Sequence, residues 1–192
     1  MAPFVGLTGG LGAGKSEALR LLGELGAATL STDAVVHELL AGDELRDALV
    51  ERLGPEVAQG GALDRARIAE RVFGDDDARA WLEDLLWPRV GERVGAWRAE
   101  VGDERVAVVE VPLLFESGME TVFDSTIAVI ADEPVREQRA AARGHAAVAE
   151  RAGRQLTQQE KAQRADFTVR NDGSLEELRE SLTRVLAKLE GQ

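Results

Sequence analysis

The residues with the clearest chemical potential form a glycine-rich run near the N-terminus, Gly9-Gly10-Leu11-Gly12-Ala13-Gly14-Lys15-Ser16. Its spacing fits Gly-x-x-x-x-Gly-Lys-Ser/Thr, the pattern of a phosphate-binding loop. In such a loop the glycines let backbone N–H groups point at phosphate oxygens, and the following helix adds partial positive charge. The lysine reaches the β and γ phosphates of a nucleoside triphosphate, and the serine hydroxyl binds Mg²⁺. The predicted nucleotide-binding residues are Gly9, Gly10, Gly12, Ala13, Gly14, Lys15, Ser16 and Glu17.

Two elements flank the loop in the order that phosphate binding requires. Phe4 to Thr8 is a short, mostly apolar run that predicts a buried strand. Glu17 to Leu25 carries apolar residues at helical spacing, which predicts a helix that begins where the loop ends. A chance glycine turn before a helix is the alternative, but pattern and context agree on a phosphate-binding loop.

Asp33 is the candidate for proton transfer because of its place in the chain. Ala27 to Leu30 predicts a second strand, and Ser31-Thr32-Asp33 follows at its C-terminal end, where ligands collect in open α/β sheets. A carboxylate beside the loop could accept a proton from an acceptor hydroxyl or hold Mg²⁺ through water. Alternatively, Asp33 is the N-cap of a helix over 34–40, and both roles could hold together.

Further apolar runs predict the rest of a sheet. Val106–Val111, Ile127–Ala131 and Asp166–Val169 are strand-like, and Glu110 lies near the end of the first, where an acid can orient Mg²⁺. Helical patterns separate the five strands, so we expect an α/β fold with a five-stranded parallel sheet flanked by helices. Ser174-x-x-Glu177 predicts the start of a last helix. That helix is expected to bury Leu175, Leu178, Leu182, Val185, Leu186 and Leu189.

Residues 34–102 are mostly helical in pattern and predict an insert. Asp64 and Asp75–Asp77 are candidate helix starts, and Pro88 predicts a kink or a break in the second of these helices. The insert also contains all three tryptophans of the chain. They fill a small helical core, or at least one of them lines a pocket for a phosphate acceptor. They are Trp81, Trp87 and Trp97.

Arginines are concentrated after the fourth predicted strand. Arg136, Arg139 and Arg143 fall on one face of a helix, and Thr157-x-x-Glu160 predicts the start of the next helix. The region is either a solvated basic face or a lid over 136–165 that closes arginines over phosphates. We prefer the lid, because phosphoryl transfer needs positive charge at that point.

The composition excludes several other kinds of site. The 192 residues include no cysteine and two histidines, so disulfides and thiol chemistry are excluded and a structural zinc site is not expected. The net charge of −12 and the pI near 4.7 argue against nucleic acid or a membrane surface as the main partner. No apolar run approaches the roughly 20 residues of a spanning helix, and no basic signal-peptide start is present. We therefore expect a cytoplasmic protein.

The phosphate loop by itself leaves the class of protein open. A GTPase would need Asn-Lys-x-Asp for guanine, whereas Asn171, the only asparagine, is followed by Asp172. Motor and remodelling ATPases usually carry two adjacent acids at the end of the Walker B strand. In this chain the comparable acid is Glu110, and Val111 and Pro112 follow it. A small-molecule kinase needs an acceptor-side acid, an insert and an arginine lid, and all three are predicted.

One enzyme family has motifs that match stretches throughout the chain. They are Gly6 to Gly10 and on through Ser16, Asp33, Val111-Pro112-Leu113-Leu114-Phe115-Glu116-Ser117, Arg139-x-x-x-Arg143, Gln155, Ala165-Asp166 and Asn171-Asp172-Gly173-Ser174. In these motifs the chain resembles dephospho-coenzyme A kinases. The resemblance implies transfer of the γ-phosphate of ATP to the ribose 3′-hydroxyl of dephospho-CoA, the last step of coenzyme A biosynthesis. It also implies a P-loop kinase fold with a nucleotide-binding core (1–33, 103–135 and 166–192), a CoA-binding insert (34–102) and a lid (136–165).

The resemblance assigns roles to single residues. Asp33 is the expected base or acceptor-orienting acid, and Lys15, Arg139 and Arg143 are expected to stabilise transition-state charge. Ser16 is the expected Mg²⁺ ligand, with Asp33 and Glu110 acting through water. The expected substrate contacts are Thr8, Asp33, Leu113 and Phe115. ATP and dephospho-CoA are the expected partners of a monomer or small homo-oligomer.

Three positions depart from the family pattern. Glu17 stands where the family usually has a small polar residue, Trp87-Pro88 where it has His-Pro, and Glu110 where aspartate is more frequent. None of these changes removes a core catalytic group. Two other functions stay open at this point: a kinase for another small hydroxyl acceptor, and a nucleotide-binding protein without phosphotransfer.

Overall fold

The structure is a computed structural model that describes residues 1–59, 62–142 and 155–191. The chain folds into two compact units, one formed by Met1–Ser31 with Arg98–Gln192 and the other by Thr32–Trp97. The second unit overlaps the predicted insert over 34–102, and its role in binding an acceptor stays a prediction. Part of the predicted lid, including Arg143, lies outside the described residues.

The described residues form both strands and helices. The strands are β1 (Phe4–Gly9), β2 (Ala28–Ser31), β3 (Ala58–Gln59), β4 (Ala62–Leu63), β5 (Ala107–Glu110), β6 (Ser125–Ile130) and β7 (Phe167–Arg170). The helices are α1 (Lys15–Glu24), α2 (Thr32–Ala41), α3 (Arg46–Leu53), α4 (Arg65–Val72), α5 (Asp76–Val101), α6 (Glu133–Ala142), α7 (Gln158–Arg164) and α8 (Leu175–Glu190).

The first unit is built on a sheet of five parallel strands in the order β2-β5-β1-β6-β7. The central strands are apolar and buried along nearly their whole length, as expected for a parallel sheet that helices cover. Leu21 and Leu22 of α1 and Leu182 of α8 pack with Val5 and Leu7 of β1 in one hydrophobic core. The predicted five-stranded parallel sheet is therefore confirmed.

Helix α8 has the predicted cap and buries all but one of the residues predicted to be buried. Ser174 and Glu177 form the predicted capping box, in which each side chain accepts from the other residue's backbone N–H. The helix buries Leu178, Leu182, Val185, Leu186 and Leu189, whereas Leu175 is 50% exposed. The prediction for Leu175 is wrong. This residue shares the helical spacing of Leu178 and Leu182, but it begins the helix, one position after the cap, where its side chain is exposed.

The second unit is mainly helical, as predicted. Asp64 caps α4 by accepting hydrogen bonds from the backbone N–H groups of Ala66 and Arg67 at 2.9 and 3.3 Å. The sequence predicts a kink or a break at Pro88; helix α5 continues through this residue, so a break is wrong and a kink stays a prediction. The unit also contains a small antiparallel pair, β3 with β4, which the helical prediction missed.

The three tryptophans of the insert are all half-buried. The guanidinium carbon of Arg52 lies 6.0 Å from the centroid of the Trp81 ring, within the range of a cation–π contact. A contribution of these rings to acceptor binding stays a prediction. Among the helices of the described ranges, none has the length and apolar character needed to cross a membrane.

Candidate active site

The phosphate loop joins β1 to α1, and its backbone can be formed only by glycine at three positions. These positions have positive φ angles: Gly9 (155°), Gly12 (76°) and Gly14 (94°). A Cβ atom on Gly9 would lie 2.2 Å from the carbonyl oxygen of Val129, and one on Gly12 would lie 2.5 Å from the carbonyl oxygen of Arg136. A Cβ atom on Gly14 would lie 2.1 Å from the side-chain amide nitrogen of Asn171. Strand β6, helix α6 and the segment after β7 thus approach the loop too closely for any side chain.

Asn171 is the polar side chain that fixes the end of the loop. It is buried, and its Nδ2 donates to the carbonyl oxygen of Ala13 at 2.8 Å. Its own backbone N–H donates to the carbonyl oxygen of Ile130 at 2.8 Å, which secures the residue to the end of β6. In the sequence, Asn171 belongs to a family motif that indicates no role for it. The usable signal was a lone asparagine directly after a strand.

Two arginines of α6 lie against the loop and its support. Arg136 donates from Nε to the carbonyl oxygen of Leu11 at 2.9 Å, and Arg139 donates from Nη1 to the carbonyl oxygen of Asn171 at 2.9 Å. Both side chains are half-buried. The structure thus brings the predicted Arg139 to the site, and it adds Arg136, which the sequence placed on the same helix face without assigning it to the site.

Lys15 begins α1 and lies over the loop. Its ammonium nitrogen donates to the carbonyl oxygen of Gly10 at 3.2 Å, and the side chain is half-buried. Together with Arg136 and Arg139, this places three cationic side chains around one short loop. A group of this charge suits the phosphates of a nucleotide.

The first turn of α1 has no side-chain cap, because its N-cap residue is Gly14. Uncapped helix N-termini favour anions. Ser16 is exposed in this turn. Glu17, the acid that departs from the family pattern, pairs with Arg20 at 2.6 Å. This hydrogen bond, with smaller contributions from the charges of Glu17 and Glu24, raises the pKa of Arg20. The Glu17 carboxylate is therefore partly neutralised on its own helix.

Glu110 occupies the position expected of a Mg²⁺-orienting acid. It is the buried last residue of β5, and it is in register with Leu7 of β1 and Ser31 of β2. Its carboxylate therefore lies on a central strand at the sheet edge where the phosphate loop starts. Mg²⁺ in such enzymes is held by one or two protein oxygens plus the substrate phosphates. Ser16 and Glu110 fit that donor set.

The predicted substrate contacts in this unit lie around the segment after β5. Thr8 is completely buried, and its hydroxyl donates to the carbonyl oxygen of Pro112 at 3.2 Å. Leu113 is half-buried and Phe115 is buried. Thr8 is therefore bonded within the fold, and Leu113 is the more accessible of the three. Contact of any of them with a substrate stays a prediction.

Asp33 belongs to the second unit, where it is exposed in the first turn of α2. Because α2 begins at Thr32, Asp33 lies inside the helix and the prediction that it is the N-cap is wrong. A solvent-exposed carboxylate remains available for proton transfer, and that role stays a prediction. Arg143 cannot be placed, since it lies outside the described residues.

Comparison with known proteins agrees with this arrangement. A family model for dephospho-CoA kinase matches residues 3–177. A protein of Deinococcus radiodurans named dephospho-CoA kinase is 40% identical over 191 residues, which cover 97% of this chain and 92% of that protein. A crystal structure from Thermus thermophilus is 35% identical with a TM-score of 0.80, and the match covers 98% of this chain and 99% of the other.

The fold is shared more widely than the sequence. The dephospho-CoA kinase of Campylobacter jejuni is 22% identical, with a TM-score of 0.67 and coverage of 96% of each chain. At that identity the likeness shows the fold alone. The family match over residues 3–177 and the 40% identical relative go further. The resemblance found in the sequence is confirmed, and the chain belongs to the dephospho-CoA kinase family.

Proposed function

We propose that this chain transfers the γ-phosphate of ATP to the ribose 3′-hydroxyl of dephospho-CoA, giving coenzyme A and ADP. The observation that carries the proposal is the geometry of the phosphate loop in a chain of this family. Three loop positions accept only glycine, so backbone N–H groups and the N-terminus of α1 can approach phosphate oxygens closely. ATP and dephospho-CoA are the two substrates.

The reaction is an in-line displacement at phosphorus. The acceptor hydroxyl oxygen forms a bond to the γ-phosphorus, the bond to the β,γ-bridging oxygen breaks, and ADP leaves with that oxygen. We assign the hydroxyl proton to the carboxylate of Asp33, whose exposure in the first turn of α2 supports the assignment.

Charge develops on the phosphoryl oxygens during the transfer. Lys15 and Arg139, which lie at the loop and at its Asn171 support, are assigned to neutralise it. Arg143 is proposed as a third cation from the lid over 136–165. Positive groups that are already positioned lower the barrier more than groups that must reorganise.

Mg²⁺ would neutralise the developing charge on the β and γ phosphates when it is bound with ATP. Ser16 would hold it through its hydroxyl, and Glu110 and Asp33 would orient it through water. Among the described residues, no group of three or more acidic or histidine side chains could form a dedicated metal site.

The second unit is the proposed acceptor lobe. It is a compact, mainly helical unit over Thr32–Trp97. Its tryptophans are half-buried and offer aromatic surface for stacking on the acceptor. A monomeric or small homo-oligomeric state, a cytoplasmic location and the lack of a nucleic-acid partner also remain predictions.

The function is tested by following ADP formation with purified protein, ATP, Mg²⁺ and a panel of acceptors. Dephospho-CoA is expected to give stoichiometric ADP and a product with a 3′-phosphomonoester, identified by ³¹P NMR and mass. Shikimate and gluconate serve as alternative hydroxyl acceptors, and nucleoside monophosphates serve as phosphate acceptors. Turnover with one of these and none with dephospho-CoA would assign the chain to another acceptor. ATP binding without turnover on any acceptor would make it a nucleotide-binding protein.

A further inference from the structure

Lys161 on α7 is completely buried, which lysine side chains rarely are. Its ammonium nitrogen donates to the carbonyl oxygen of Pro112 at 2.7 Å and pairs with Oε1 of Glu116 at 2.9 Å. A buried ammonium group is tolerated only when it is paired and hydrogen-bonded. The reaction proposed above makes no use of this charge, so its purpose has to be sought in what it connects.

Glu116 also binds the main chain just before α7. The same Oε1 atom accepts the backbone N–H of Leu156 at 2.9 Å. The carboxylate is mostly enclosed, with 14% of the side chain exposed. Its other oxygen is buried and has no hydrogen-bond partner among the residues that the structure describes. One carboxylate oxygen thus holds both α7 and the chain that leads into it.

The other end of the connection is the strand that enters the phosphate loop. The carbonyl oxygen of Pro112, which binds Lys161, also accepts the hydroxyl of Thr8. Thr8 directly precedes Gly9, the first glycine of the loop. A continuous set of hydrogen bonds therefore runs from Leu156 through the buried pair to Thr8, near the end of β1 and directly before the loop.

Helix α7 is a firm support for this pair. The side-chain amide of Gln158 donates to the carbonyl oxygen of Ala131 at 2.6 Å and accepts the Ala131 backbone N–H at 3.1 Å. This paired contact is buried and fixes the start of α7 to the end of β6. The position of Lys161 is therefore set by the sheet and not by a mobile loop.

We propose that Lys161 and Glu116 are positioning residues for the phosphate acceptor. The pair holds the segment from Pro112 to Phe115, which contains the predicted contact residue Leu113, in register with Thr8 at the start of the phosphate loop. It also fixes the main chain at Leu156, directly before α7. The inference rests on the proposed function, because it assigns the pair to the acceptor side of that reaction.

A double variant separates positioning from simple stabilisation. Lys161→Met/Glu116→Leu removes both charges and keeps side chains of similar size, a change that often leaves stability intact. We expect a folded protein whose KM for dephospho-CoA is raised roughly ten- to a hundredfold, as misplacement of a substrate contact produces, while the KM for ATP changes less than about twofold. Lys161→Arg, which keeps the charge and the donors, is expected to stay closer to the wild type.

The matched control is Lys188→Met, the same substitution at an exposed lysine of α8, which should leave both KM values unchanged. Amide hydrogen exchange at Leu156, measured without substrates, should accelerate in the double variant because its acceptor is gone. A folded double variant with wild-type KM for dephospho-CoA would overturn the inference, and so would failure of that variant to fold. Wild-type protein that does not phosphorylate dephospho-CoA would instead overturn the proposed function.

Discussion

Adding one methyl group at Gly12 of the phosphate loop tests whether helix α6 and the backbone conformation constrain the loop. In Gly12→Ala the new Cβ would lie 2.5 Å from the carbonyl oxygen of Arg136 and 3.0 Å from its Cα. Both are backbone atoms of α6, so no rotamer change can relieve the contact. The φ angle of +76° adds a second penalty, since side chains other than hydrogen clash with the backbone in this region.

The size of the effect follows from these two terms. The left-handed conformation costs alanine roughly 1–2 kcal/mol relative to glycine, and a forced overlap in a packed site costs roughly 1–3 kcal/mol. The sum is about 2–5 kcal/mol, equivalent to a factor between roughly 30 and several thousand in an equilibrium constant. If the loop keeps its shape, the free energy of unfolding falls by this amount. If the loop relaxes without nucleotide, ATP affinity falls instead.

Two glycine substitutions nearby provide matched controls. Gly10→Ala lies in the same loop, at a φ that is not positive, and its Cβ would meet only the side chain of Arg136 at 3.4 Å. It should cost less than about 1.5 kcal/mol. Gly23→Ala is exposed in α1, with Thr29 Oγ1 as the nearest atom at 3.4 Å. It should stabilise the helix by about 0.5–1 kcal/mol.

The assay combines urea unfolding with calorimetric titration of ATP for all three variants and the wild type. The quantity to compare is the loss of unfolding free energy plus the loss of ATP binding free energy. The reasoning is refuted if this sum for Gly12→Ala lies within about 0.5 kcal/mol of the sum for Gly10→Ala. That result would mean that the approach of α6 to the loop does not constrain it.

Further predictions concern single side chains. Lys15→Ala should lower kcat roughly a hundredfold or more with little change in unfolding free energy, whereas Lys188→Ala should leave turnover unchanged in the same steady-state assay. Asp33→Asn should lower kcat by about 10²–10⁴ if this carboxylate is the base; a variant with normal turnover would return Asp33 to a structural role. Dephospho-CoA should change tryptophan emission more than ATP does, and Trp87→Phe should lose part of the change. The pKa of Glu160 lies below its ordinary value of 4.5. The main cause is the hydrogen bond that its carboxylate accepts from the backbone N–H of Thr157, followed by the one from the Thr157 hydroxyl. Stability from this carboxylate is therefore present above pH 4.5 and lost as pH falls through the lower folded-state pKa. Urea unfolding at neutral and acid pH should show this loss in the wild type and not in Glu160→Gln.

The features that the sequence predicted correctly are those whose cause lies within a few residues. Both capping boxes formed, and Asp64 caps α4, because each joins a side chain to a backbone N–H two or three positions away. The phosphate loop was recognisable for the same reason. The five parallel strands followed from short apolar runs separated by helical patterns.

Two features of the fold differ from the prediction: helix α5 is unbroken at Pro88, and strands β3 and β4 form an antiparallel pair. Pro88 removes one helical hydrogen bond, yet α5 continues through it, since packing of the surrounding turns outweighs a single lost bond. In the preceding turn, the carbonyl oxygen of Leu85 accepts a hydrogen bond from the side chain of Arg89 at 2.7 Å. The β3–β4 pair was missed although Gly60-Gly61 lies between its strands, a sequence typical of hairpins.

The contacts that shape the site could not be predicted from the sequence, because they join residues far apart in the chain. Asn171 binds the carbonyl of Ala13 across 158 positions, and Arg136 binds that of Leu11 across 125. These residues follow β6 and β7, and the parallel sheet brings the ends of those strands to the same edge as the loop. Topology therefore creates the contacts, and residue spacing carries no trace of them. A rule that examines every polar residue just after a predicted strand would have selected Asn171.

The acidic composition and the need to bind phosphates are compatible once the site is considered locally. The net charge is −12, but exposed charges beyond roughly 8 Å are largely screened at physiological ionic strength. Within that range Lys15, Arg136 and Arg139 surround the loop, and α1 adds the positive end of its dipole. Glu17, the acidic residue closest in sequence to Lys15 and Ser16, is paired with Arg20. The potential that ATP meets is thus set by a few fixed groups around the loop and not by the total charge.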